Sequence, residues 1–318
     1  QKRHALGVDK KIISADNFID EHNLIIWMKN DDGSPNLDAI RSYYLDYIEK
    51  SKKLINIEFN ENKHDFYVSD FVYEAFKIAS INKKPSFGVA HFTWDWFFSK
   101  IYPTPIQDKL IKYFFDCAQE ASILFFPPYT PKEILNHYSK NAISIPFIVN
   151  KNINSVKWAN SQGSKNILVM DSGTRIMKKL IENAFNNCDS FGNDYFFASR
   201  YNLKINNYLK IPESKMLLDY IEDADWVIGR PGFNTISECL AKQVPMLLIS
   251  ENMNPEMDHN ILEINKTGFG KFLTYEKMQN NLLECLDNYF ANEIDIIKKN
   301  LNSTDLQFNG AEIIHNKI

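Results

Sequence analysis

The stretch DWVIGRPGFNTISE occupies residues 225–238. It opens with an apolar run that stops at Gly229, passes through Arg230, Pro231 and Gly232, and turns into a helical pattern at Asn234 and Thr235. A short continuous apolar run bounded by turn residues fits a strand buried on both faces, as in a parallel sheet covered by helices. Gly229 and Gly232 then lie at the carboxyl edge of that sheet, where open α/β folds bind ligands. Glycine there lets the backbone approach a ligand closely or take a positive φ. Asn234 or Thr235 is placed to cap the helix, whose free N–H groups and positive dipole end make an anion site. Glu238, one turn further in, offers a carboxylate to a diol such as a ribose. A plain strand-to-helix turn with a good cap uses the same residue types.

The pattern repeats on both sides. Strands are expected at 11–15, 65–70, 85–92, 122–127 and 143–149, with helices at 37–54, 71–80, 105–119 and 131–138. The rhythm restarts with strands at 166–171, 194–200, 225–229 and 245–250, and helices at 175–186, 213–222 and 234–242. Apolar strands alternating with helices predict an α/β chain with right-handed crossovers. Two doubly wound, Rossmann-like domains follow, 1–155 and 156–318, joined through the polar stretch at 150–166. Residues 275–299 read as helices that close the second domain or cross back to the first.

Two further loops join the opening stretch. Ser172-Gly173-Thr174 follows the strand at 166–171 and opens a helix, a second small-residue turn in the same domain. Two such loops meeting at one crevice suit a diphosphate. Residues 250–260, SENMNPEMDHN, collect Asn254, Glu256, Asp258, His259 and Asn260 past the next strand. No HExxH-type metal spacing occurs there, so a polyol-binding loop is the functional reading and a solvated polar loop the other.

Composition narrows the class. The 318 residues carry a formal net charge of −4, are 44% hydrophobic and include 24% charged residues, as in a globular protein with a sizeable core. The negative balance argues against a nucleic-acid partner. Cys117, Cys188, Cys239 and Cys285 lack CxxC spacing, which points to reduced thiols in a cytoplasmic protein. No apolar run is long enough to span a membrane, and no signal peptide is visible.

Taken together, DADWVIGRPGFNTISECLAKQVPMLLIS followed by PEMDHNILEINKTGFG resembles the donor-binding half of GT-B glycosyltransferases, with order and spacing kept across 166–270. It is similar to the group that contains the peptidoglycan lipid-intermediate N-acetylglucosaminyltransferase and the UDP-glycosyltransferases, a family 1/28-like set. The resemblance implies a GT-B fold, two Rossmann-like domains facing a cleft. It places Gly232, Phe233, Asn234 and Thr235, preceded by Arg230, at the donor diphosphate, with Ser172, Gly173 and Thr174 opposite. It gives Glu238 the ribose hydroxyls, Glu256 the transferred sugar, and Asn260 the close of that loop. Leu209 and Lys210 fall near where such enzymes read the base.

In the first half, HFTWDWFF (91–98) is similar to a segment in the glycosyltransferase-like part of plant arabinokinases. Asp70 and His91 each end a strand and face the expected cleft; with Asp95 they are the candidates for a catalytic base. Trp94 and Trp96 suit a stacking platform for an acceptor sugar, or a buried aromatic helix start. QKRHALGVDKK at the start resembles the helix that follows a glycine-rich loop in such enzymes, so either a strand and loop precede this sequence or this protein has lost them; His4, within that helix, does not replace the loop's histidine.

The resulting expectation is an inverting transfer from a nucleotide diphosphate donor, UDP-sugar first, to an acceptor hydroxyl. No metal and no cofactor is expected, in keeping with the lack of a D-x-D motif in a suitable loop. The acceptor is a carbohydrate, lipid-linked or small molecule, in cell-envelope or other glycan biosynthesis, in the cytoplasm or at the inner face of the membrane. Two alternatives stay open: a sugar-nucleotide epimerase or hydrolase on the same fold, and a non-catalytic sugar-nucleotide-binding subunit.

Overall fold

The computed structural model describes residue 30 and residues 36–59, 64–70, 72–101, 105–150, 154–159, 163–170, 175–186, 191, 194–249 and 254–318. The strand expected at 11–15, the helix containing His4 and the turn Ser172-Gly173-Thr174 lie outside them.

The first layer set runs α1 (Leu37–Phe59), β1 (Tyr67–Ser69), α2 (Glu74–Ile81), β2 (Ser86–Val89), α3 (Trp94–Ser99), α4 (Pro105–Gln119), β3 (Ile123–Phe126), α5 (Lys132–His137) and β4 (Ala142–Ser144). Its four strands form one parallel sheet in the order β1-β2-β3-β4. The strand expected to continue to 149 stops at Ser144. Pro146 has no N–H to give a ladder, and Phe147 N–H instead donates to the Gln307 carbonyl at 3.0 Å.

The second set runs β5 (Lys165–Val169), α6 (Arg175–Asn186), β6 (Tyr195–Ser199), β7 (Tyr208–Lys210), a 3₁₀ turn (Leu217–Asp223), β8 (Trp226–Gly229), α7 (Phe233–Ala241), β9 (Met246–Ile249), α8 (Pro255–Thr267), β10 (Gly270–Leu273), α9 (Tyr275–Asn292) and α10 (Ile294–Asn302). The strands pair in parallel in the order β10-β9-β8-β5-β6-β7. Every residue of β8 and β9 is buried, the signature of a sheet covered on both faces. The helix expected at 213–222 is the 3₁₀ turn, and the short edge strands β7 and β10 carry too few residues to show a pattern.

Strand order decides where this sheet opens. From β5 the chain moves to β6 on one side and later to β8 on the other, so the direction reverses between β5 and β8. In an open parallel sheet a ligand enters at the carboxyl ends flanking such a reversal. The loops that follow β5 and β8 are the two glycine-bearing turns.

Each sheet has its own core. Phe76, Phe97, Phe98, Phe114 and Tyr138 pack around the first, and Trp226, Ile228, Leu247, Phe185 and Phe197 around the second. Helices α9 and α10 close the second core through Met278, Leu282, Leu286, Ile297 and Leu301. The chain then returns: α11 (Gly310–Lys317) sets Ile313 and Ile314 against Phe87, Phe125 and Ile145 of the first sheet.

That return passes through a tight point at Gly310, whose N–H donates to the Phe147 carbonyl at 3.1 Å. A Cβ there would lie 2.3 Å from the Pro146 carbonyl oxygen and 3.0 Å from that of Phe147, both backbone atoms that cannot swing aside. Gly310→Ala is therefore expected to lower unfolding stability by about 1–3 kcal/mol. An unchanged denaturation midpoint would show that α11 is not held where the contacts put it.

Candidate active site

The turn after β8 is held from outside. Asn260, 1% exposed, donates its side-chain amide to the Pro231 carbonyl at 2.8 Å, so this residue positions the turn instead of facing the crevice. Gly232 is the N-cap of α7, with φ −73° and ψ 143°; it takes no positive φ, and a Cβ there would meet nothing within 4 Å, so packing within the chain does not demand glycine at this position. This corrects the capping expected of Asn234 and Thr235. Both lie inside the helix, and no side chain of the N-cap residue bonds to its first turn. The Phe233 N–H at the start of the helix is instead among the groups that favour the charged form of Glu256, from another helix.

Glu256 belongs to a second helix start, not to a loop. Asn254 caps α8, its Oδ1 accepting from Met257 N–H at 3.3 Å, and Pro255 occupies the first turn. Asparagine, proline and two acids in that order form a helix N-terminus signature, present in NPEMD at 254–258. The first turn of α8 thereby points Glu256 at the first turn of α7.

From the opposite sheet His91, two residues past β2, reaches the same place. Its Nε2 lies 2.9 Å from Glu256 Oε1. Its ring stacks on Phe233 at 4.5 Å and 15°. Burial pushes the Glu256 carboxyl up, but the His91 charge and hydrogen bond, the Arg230 charge and the Phe233 N–H together hold it below its ordinary value. Arg230 also contacts Met257 Sδ through Nη2 at 3.6 Å. Asp70 follows β1, next to β2 in the sheet. Partial burial raises its carboxyl, and the nearby His91 charge opposes the rise. Asp70 and His91 thus share one carboxyl edge, as expected from their strand ends.

Glu238 on α7 is 6% exposed. Its Oε1 accepts from the Asn150 backbone N–H at 3.1 Å, and its Oε2 has no partner. Burial raises this carboxyl, countered by the Asn150 N–H and the Lys242 charge. Asn150 follows the first sheet, so both sheets contribute to holding Glu238. A second contact across the crevice joins His259 to the Tyr129 carbonyl; burial lowers the imidazole's pKa and favours its neutral form. Neither Asn150 nor Tyr129 carries a local sequence signal, because each contributes only a backbone group.

Two expectations fail in the first sheet. Asp95 is 4% exposed and accepts from Tyr138 Oη at 2.8 Å; it is a buried structural acceptor and cannot reach an acceptor substrate. Trp96, 8% exposed, donates Nε1–H to Glu133 at 3.1 Å. Trp94 packs edge-on against Phe92 and Phe97, each at 5.3 Å. Both tryptophans fill the aromatic core, so neither offers a free stacking face. Leu209 and Lys210 lie on β7, the edge strand farthest from β10. Among the described residues no group of three or more His, Cys, Asp or Glu side chains is arranged to hold a metal ion.

Known proteins resemble this arrangement. Residues 161–314 match the glycosyltransferase family 28 C-terminal domain. The chain is 26% identical over 101 residues to an uncharacterized glycosyltransferase of Methanosarcina acetivorans, covering 28% of this chain and 27% of that protein. One from Methanosarcina mazei is 28% identical over 102 residues, covering 30% and 27%. The matched stretch thus spans about a quarter of those relatives' length. Among solved structures, the glycotransferase of kitacinnamycin superposes with TM-score 0.58 at 14% identity, covering 88% of this chain and 82% of that one. A calicheamicin glycosyltransferase gives 0.57 at 11%, covering 83% and 75%, and a spinosyn rhamnosyltransferase complexed with thymidine diphosphate 0.56 at 11%, covering 88% and 79%. At such identities the likeness establishes the fold, which is GT-B.

The raised carboxyl of Glu238 has a measurable consequence. A group whose native pKa exceeds its unfolded value stabilises the fold below that unfolded value, about 4.3 for glutamate, and loses this as pH rises through the native value. At pH 7 the buried charge therefore opposes folding. Glu238→Gln is expected to melt higher than the parent at pH 7, with the gap closing as pH falls to about 4. A gap that widens toward acid would reverse the assignment.

Proposed function

We infer that this chain, which carries a glycosyltransferase family 28 C-terminal domain at residues 161–314, is a glycosyltransferase. It moves a sugar from a nucleotide diphosphate donor, UDP-sugar first, to an acceptor hydroxyl, with inversion and without a metal. The observation that carries this reading is the meeting of His91, from the first sheet, with Glu256 and Phe233, from the second. It joins the carboxyl edges of two parallel sheets at the one place where the second sheet's strand order reverses.

In this reading the donor diphosphate lies at the N-terminus of α7, with Ser172, Gly173 and Thr174 opposite and Arg230 beside it. The unpartnered Oε2 of Glu238 accepts from a ribose hydroxyl. The acceptor lies against the first sheet, where His91 is the base. His91 Nε2 takes the acceptor proton, the freed oxygen attacks the anomeric carbon from the face opposite the diphosphate, and the bond to the diphosphate oxygen breaks. Preorganised N–H groups at α7 stabilise the leaving charge, help worth several kcal/mol in a water-poor site at roughly 3–4 kcal/mol per well-placed donor. Asp70, on the far side of the imidazole's sheet edge, favours the imidazolium that results. A carbohydrate, lipid-linked or small-molecule acceptor fits such a cleft equally; no described helix is long and apolar enough to cross a membrane.

Calorimetric titration with UDP, GDP, dTDP and CDP in metal-free buffer tests the donor site. Saturable binding of one nucleotide is expected, weakened about 10- to 100-fold in Glu238→Ala through loss of charge-assisted hydrogen bonds. Unchanged affinity in that variant would remove Glu238 from the site. For the chemistry, His91→Gln should keep nucleotide affinity within a few-fold and lower kcat by about 100-fold or more. A chain that binds the nucleotide yet transfers to no acceptor would instead be a sugar-nucleotide-binding subunit, and one that releases free sugar a hydrolase.

A further inference from the structure

The Glu256 carboxylate sits among groups that an anionic ligand would use. The Phe233 N–H opens α7 toward it and Arg230 lends its charge, while His91 Nε2 lies 2.9 Å from Oε1. An imidazole, a guanidinium and a helix N-terminus around one anion form the donor set of a phosphate site. Further into the same helix, Glu238 keeps an Oε2 that no described residue satisfies while only 6% exposed. Glu256 is not required where it is for its own helix, because Asn254 already caps α8. The imidazole it contacts is also stacked on Phe233, at 4.5 Å.

We propose that Glu256 is an internal stand-in for the donor diphosphate. With the crevice empty, its carboxylate occupies the anion position at α7 and ties up His91 Nε2. An arriving diphosphate takes over the Phe233 N–H and the Arg230 charge, and Glu256 swings off. That movement uncovers His91 Nε2 to accept a proton. The proposal rests on the donor-site reading above and adds to it that donor binding and release of the base are a single event. Binding becomes ordered, donor before acceptor, which keeps the base covered until there is a sugar to transfer. Affinity for the diphosphate is lowered by the competition, since the binding-competent state is only a fraction of the empty protein.

The experiment titrates the parent protein, Glu256→Gln and Glu256→Asp with UDP, dTDP and inorganic pyrophosphate. Pyrophosphate asks about the anion position alone. Both variants weaken the stand-in, the first by removing its charge and the second by shortening its reach, and each is expected to bind diphosphates about tenfold more tightly than the parent. The imidazole nitrogen resonances of His91 in the parent should move, on addition of diphosphate, to where they lie in Glu256→Gln. Equal or weaker binding by the variants, or His91 resonances that stay put while diphosphate binds, overturns the stand-in and leaves the donor site intact. Failure of all three proteins to bind any of the probes overturns the donor site and the stand-in with it.

Discussion

A parallel sheet packed on both faces leaves a ligand only its edges, and the carboxyl edge is where the connecting loops, the helix N-termini and their unsatisfied N–H groups collect. All ten strands described here pair in parallel. Reversal of direction between β5 and β8 therefore settles where the second sheet opens. Gly229 ends β8 where a Cβ would already sit 3.3 Å from Met170 Cβ at the end of β5. The two strands are adjacent in the sheet and end side by side. Everything else in the site follows from what the first sheet sets opposite that crevice.

Burial pushes both carboxylates in it upward, and their neighbours decide where each ends. Glu256 has an imidazole, a guanidinium and a helix N-terminus for company and is kept below the ordinary carboxylate range. Glu238 has one backbone N–H at 3.1 Å and a bare second oxygen, and is pushed above it. The first is satisfied by the protein itself and the second is not. An unsatisfied buried oxygen costs about 1–3 kcal/mol, a cost that a ligand with a hydroxyl to donate removes. The contrast separates a carboxylate with several partners, Glu256, from one with a single backbone N–H, Glu238.

The aromatic segment after β2 shows how polarity misleads when only the order of residues is known. HFTWDWFF places an aspartate between two tryptophans, a pattern shared by sugar-stacking surfaces and by buried helix starts. Here Asp95 accepts from Tyr138 inside the core, and Trp96 Nε1 donates to Glu133. Both of these polar groups find partners on α5 or just beyond it, so Asp95 and Trp96 can be buried. His91, at the head of the segment, meets Glu256 of α8, and the Trp96 ring packs against His259 of the same helix.

Strand and helix content was legible because apolar runs and helical spacing are local: β5, β6, β8 and β9, and helices α4 and α6, fall where the pattern puts them. The turn at Arg230–Gly232 was legible for the same reason. Its glycines, its strand and its helix are contiguous, and an anion site at a helix N-terminus needs little else. The partner of that N-terminus was not legible. Glu256 lies more than twenty residues away on α8 and His91 in the other sheet, and their meeting depends on how two sheets face each other. The N-cap went astray for the same cause: propensity favours Asn234 and Thr235, but a carboxylate delivered by tertiary packing makes Gly232 sufficient. Sequence alone determined which elements form and which glycine-bearing turn opens α7; the tertiary structure decided which charges meet there, because electrostatic contacts between distant segments leave no periodicity to read.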